Sequence, residues 1–160
     1  MPIARTAIQD TIQSTLQGIV GVANVHTDEV RVNNMNDMKA KYEQGFDEFL
    51  QLWTIHRVSS NPHTADTHRG QVPISDVNFY HKFSVELFWA YKEEGGETAF
   101  QKLIDDVLDV FKVKRTLGAF NTSAPLALTN ITPTWRHGVF GKVAQFEVTV
   151  IDAQRALAWE

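Results

Sequence analysis

The stretch His81-Lys82-Phe83-Ser84-Val85-Glu86-Leu87-Phe88-Trp89-Ala90-Tyr91-Lys92 decides the fold. Phe83, Val85, Leu87, Trp89 and Tyr91 recur at every second position, with Lys82, Ser84 and Glu86 between them. A period of two places these sets on opposite sides of an extended chain. The spacing predicts a strand over His81 to Lys92 with one face in a core. Phe88 and Ala90 add apolar character to the other face near its end. Glu94-Gly95-Gly96-Glu97 then breaks the strand, and Thr98-Ala99-Phe100-Gln101 reads as a capping box. Beyond it, Phe100, Leu103, Ile104, Val107, Leu108 and Phe111 fall on one helical face. Gln101, Lys102, Asp105, Asp106 and Asp109 fall on the other, so the segment predicts an amphipathic helix.

Toward the N-terminus, Trp53 and Ile55 alternate with Thr54 and His56 in a second expected strand, Leu52 to Val58. Residues 59–78 hold Asn61-Pro62, Gly70, Pro73 and Asp76 and few large apolar residues. They read as a long polar loop or arm, and a loop of that length in a compact domain is usually functional or disordered. Ile3, Ile8, Ile12, Leu16 and Ile19 form a helical stripe, opposite Gln9, Asp10, Gln13 and Gln17 and closed by Gly18 and Gly21. Val22, Val25, Val30 and Val32 suit a short extended stretch around a turn at Thr27-Asp28-Glu29. Met35, Met38, Tyr42, Phe46 and Phe49 make a second helical stripe behind the cap-rich run Asn33-Asn34-Met35-Asn36-Asp37. Toward the C-terminus, a strand from Leu126 is expected to end near Pro133. Phe146, Val148 and Val150 alternate with Gln145, Glu147 and Thr149 in a final strand from about Phe140 to Ile151. The expected order is α-α-β-β-α-β-β. It gives an α+β fold, a mainly antiparallel sheet of four or slightly more strands packed by helices. Ser84, Glu86, Gln145, Glu147 and Thr149 leave the second sheet face partly polar, facing water or a partner.

The chain has 160 residues, 43% hydrophobic and 21% charged, which suits a single globular domain. Cysteine is absent, so there is no disulfide framework, zinc–thiolate site or thiol nucleophile. A formal charge of −4 argues against nucleic-acid binding through bulk positive charge. No apolar run approaches the ~20 residues of a membrane span, and the start lacks the apolar core of a secretory signal, so the chain reads as intracellular.

Motifs that carry chemistry are scarce. His56, His63, His68 and His81 lie near one another in sequence with Asp66 among them, but the spacing matches no metal-ligand pattern. Surface histidines on a loop are the stronger reading. The serines lack a nucleophile-elbow context. The Gly95-Gly96 turn is flanked by Glu93, Glu94 and Glu97, which would repel a phosphate. No catalytic residue, metal site or cofactor is expected.

Charge, by contrast, is unevenly spread. Residues 93–109 carry six acids against Lys102 alone, whereas residues 110–142 carry Lys112, Lys114, Arg115, Arg136 and Lys142 and no acid. Two readings stand. The patches pair within the chain as ordinary solvated faces, or they meet between copies in a head-to-tail interface that closes into a ring.

Several segments together resemble a known family. They are Gly18-Ile19-Val20-Gly21-Val22, Trp53-Thr54-Ile55-His56-Arg57, His81-Lys82-Phe83-Ser84-Val85, Phe100-Gln101-Lys102-Leu103-Ile104-Asp105-Asp106-Val107, and Arg136 followed by Glu147-Val148-Thr149-Val150. From about Ile3 to Asp152 the chain resembles the small tail terminator, or tail-completion, proteins of long-tailed bacteriophages and prophages. It departs from the family pattern after Arg136, where Val139-Phe140 stands in place of a Gly-Gly pair. The resemblance implies a virion structural protein without enzymatic activity, present in the host cytoplasm during assembly. Such proteins form a ring, usually a homohexamer, on the last ring of tail-tube protein. The ring ends tube polymerisation and offers a docking surface to the head–tail connector or neck. DNA passes through its lumen without sequence-specific binding, and an acidic chain suits such a lumen.

On that reading Glu97, Asp105, Asp106 and Asp109 would face Lys112, Lys114, Arg115 or Arg136 of a neighbour. The loop from Ser59 to Asn78, with His63, Asp66, His68 and Arg69, would touch the tube or neck. Another head–tail joining protein, of the head-completion or stopper kind, is the rival within the same class. The rival from another class is a small-ligand-binding or enzymatic α+β domain with His56, His81 and Trp89 around a pocket.

Overall fold

The computed structural model describes residues 2–27, 49–64, 76–91, 96–117, 120–136 and 139–155. The elements are α1 (Pro2–Gln17), β1 (Val25–His26), β2 (Phe49–Thr64), β3 (Asp76–Tyr91), α2 (Gly96–Lys112), β4 (Thr116–Leu117), β5 (Phe120–Thr122), β6 (Ala127–Arg136) and β7 (Val139–Arg155). The fold is α+β, with seven described strands rather than about four, because three short strands extend the sheet. The helix expected over Met35 to Phe49 lies almost wholly outside the described residues; its last residue, Phe49, opens β2.

The sheet runs β1-β2-β3-β7-β5-β4, with β6 pairing β7 on the same edge as β5. Among the described strands only β1 and β2 run parallel, at Val25 opposite Trp53 and His26 opposite Thr54. In the antiparallel centre Ile55 lies opposite Val85, and Val85 opposite Phe146. The alternation read in β3 is borne out: Phe83, Val85, Leu87 and Trp89 are all buried in one core with Trp53, Ile55, Phe146 and Val148. Trp53 and Phe146 stack there at 5.9 Å. Both helices cover this face. α1 contributes Ile8, Ile12 and Leu16, and α2 contributes Phe100, Leu103, Ile104, Val107 and Phe111. Each such side chain contributes on the order of 1.5–3 kcal/mol on burial.

The loop expected over residues 59–78 is shorter than its composition implies. Residues 59–64 and 76–78 belong to the β2–β3 hairpin, with Ser60 opposite His81, Pro62 opposite Phe79 and Thr64 opposite Val77. The register shifts once, between Arg57 and Ser59. β7 continues alongside to pair Arg155 with Asp76. At roughly 3.3 Å per residue, strands of this length span about 50 Å.

Pro133 does not end β6, which continues to Arg136. Among the described residues β6 pairs only with β7, and an edge position tolerates a residue without an N–H. Thr98 is not the cap of α2, because the helix begins at Gly96 with Glu97 in its first turn. Gln101 instead donates from Nε2 to Glu97 Oε1 at 2.9 Å.

A buried amide network fixes the turn after α1. Gln51, 2% exposed, donates from Nε2 to the Gly21 carbonyl at 2.8 Å. Its Oε1 accepts from the Ala23 amide at 3.0 Å and from Trp53 Nε1 at 2.9 Å. Gly21 has φ of 94°, a left-handed conformation that glycine adopts without strain. Gln9, expected on the solvent side of α1, is 5% exposed and donates to the Ile55 carbonyl at 3.1 Å. It satisfies a β2 carbonyl just beyond the last residue paired with β1, a role its residue type does not announce.

Candidate functional site

α2 and the β6–β7 hairpin position the charged residues. Burying Phe100, Leu103, Ile104, Val107 and Phe111 turns the acids of α2 outward. Asp105 and Asp109 are exposed and Asp106 is half-buried. Lys102 pairs with Asp106 one turn away, Nζ to Oδ2 at 2.6 Å. Lys112 and Arg115 are exposed past the helix end, and Lys114 is half-buried. Asp105, Asp109, Lys112 and Arg115 form no ion pair with another described residue among those the structure records.

Two members of the set are engaged within the chain. Lys142 Nζ lies 2.7 Å from Glu97 Oε2, joining β7 to the first turn of α2. Arg136 pairs with Glu86 across the sheet, and its guanidinium lies 5.2 Å from the centroid of the Phe88 ring. Stacking of this kind adds a cation–π attraction to the ion pair. Part of the charge asymmetry is therefore satisfied inside one chain, while the outer acids of α2 and the bases at its end remain solvent-facing.

The second face of the sheet is polar over its middle. Lys82 bonds to Glu147 at 2.9 Å, with both side chains more than a third exposed, and Gln145 is exposed. One end differs. Leu52, Phe88 and Val143 lie in register across three strands and are buried outside the main core. Gly141 belongs to this end. A Cβ there would stand 2.4 Å from the Trp89 carbonyl oxygen and 3.1 Å from the Phe88 ring.

His56, His81 and Trp89 do not converge. Their positions in the ladder put His56, which is exposed, on the polar face and His81 and Trp89 on the core face. His81 and Trp89 are eight residues apart along β3, about 26 Å at 3.3 Å per residue. His81 Nδ1 lies 2.7 Å from Ser60 Oγ, a cross-strand hydrogen bond. Of the loop residues, His63 lies in β2 opposite Asn78, while Asp66, His68 and Arg69 fall outside the described residues. Among the described residues no group of three or more His, Asp or Glu is placed to hold a metal ion. No described helix is long and apolar enough to cross a membrane.

One feature escaped the sequence reading. Trp135 and Phe140 face each other across the end of the β6–β7 hairpin, with ring centroids 5.1 Å apart. They are 70% and 49% exposed. Apolar residues flanking His137-Gly138 symmetrically were the available signal, hidden by taking Pro133 as the strand end. A second exposed apolar position is Val20, 93% exposed just after α1.

No protein-family model matches the chain, and no curated protein matches it.

Proposed function

We propose that this chain is a virion structural protein of the tail terminator kind: a ring, six copies in the simplest case, that caps a phage tail tube and ends its polymerisation. The ring presents a docking surface to the head–tail connector or neck, and DNA passes through its lumen. The resemblance along nearly the whole chain supports this reading, and an α+β domain with long strands is compatible with it. The observation that carries it is the charge left over on α2. Asp105 and Asp109 face solvent on the helix, and Lys112 and Arg115 face solvent beyond its end. A rigid element with opposite charges at separate places suits head-to-tail association.

Glu97 and Arg136 contribute less to such a contact, because each already has a partner in its own chain. Asp105, Asp109, Lys112, Lys114 and Arg115 form the core of the proposed interface set, and Asp106, paired with Lys102, contributes less for the same reason. A net negative chain also fits passage of DNA, since strong phosphate contacts would arrest it.

Light scattering across protein and salt concentration tests the proposal. The wild-type protein should assemble to a fixed mass, and Asp105→Lys with Asp109→Lys should weaken that assembly in low salt. Equal assembly of the double variant would remove the charge basis of the reading.

A further inference from the structure

We draw no further inference here: the strongest candidate, the open groove between α1 and the C-terminal half of α2 walled by Ile19, Val20 and Val110, is an unpartnered apolar face, and nothing among the described residues shows what covers it.

Discussion

At the scale of single residues, the chain depends on a few polar groups placed where apolar ones would be expected. Gln51 satisfies a carbonyl, an amide and an indole N–H at once. Gln51→Ala strands them, and a buried unsatisfied group costs roughly 1–3 kcal/mol. Chemical denaturation should show at least that loss. Gly141 is constrained by space: its neighbours are the Trp89 backbone and the Phe88 ring. Gly141→Ala should destabilise by roughly 1–3 kcal/mol through overpacking, read as a lower denaturation midpoint. His26 gives the pH dependence. Burial lowers its imidazole pKa below the usual value. In the window between the folded value and about 6.5 the unfolded chain binds more protons, so stability rises with pH there and falls on acidification. His26→Gln should flatten the fall in Tm between about pH 7 and pH 5, while an unchanged slope would assign it to other groups.

At the scale of elements, α2 combines a buried apolar face with a charged outer face. Reversing Asp105 and Asp109 to lysine changes only exposed positions, so Tm should move by less than about 0.5 kcal/mol equivalent while assembly weakens. Parallel melts and mass measurements on one sample check both halves of that statement. α2 and the core of β3 were legible because their periods are clean. The ends of β2, β3 and β6 were not. Ser59-Ser60-Asn61-Pro62-His63-Thr64 carries turn residues and little β-propensity, and pairing with β3 supplies what local preference lacks. Pro133 misled for a similar reason, since only the sheet order reveals that among the described residues β6 is paired on one side alone. The ion pairs of the candidate site were hidden by distance along the chain. Lys142 and Glu97 are 45 residues apart, and Arg136 and Glu86 are 50 apart. Composition shows the surplus of charge, and only the fold shows which charges find partners.

At the scale of the whole molecule, one core holds α1 and α2 against one sheet face, and three unlike regions stand out on the described surface. One is the outer charge of α2. A second is the aromatic hairpin tip near the start of that helix. The third is the β2–β3–β7 ladder, continuing to Thr64 opposite Val77 and Arg155 opposite Asp76. The assembly proposed through exposed charge responds to salt, because screening shortens the reach of exposed charges to about 8 Å at physiological ionic strength. The central claim is assembly into a closed ring, and averaged particle images of the purified protein at low salt test it most directly. The account predicts round particles of fixed copy number with a central hole, whereas compact monomers or open chains at every concentration would contradict it.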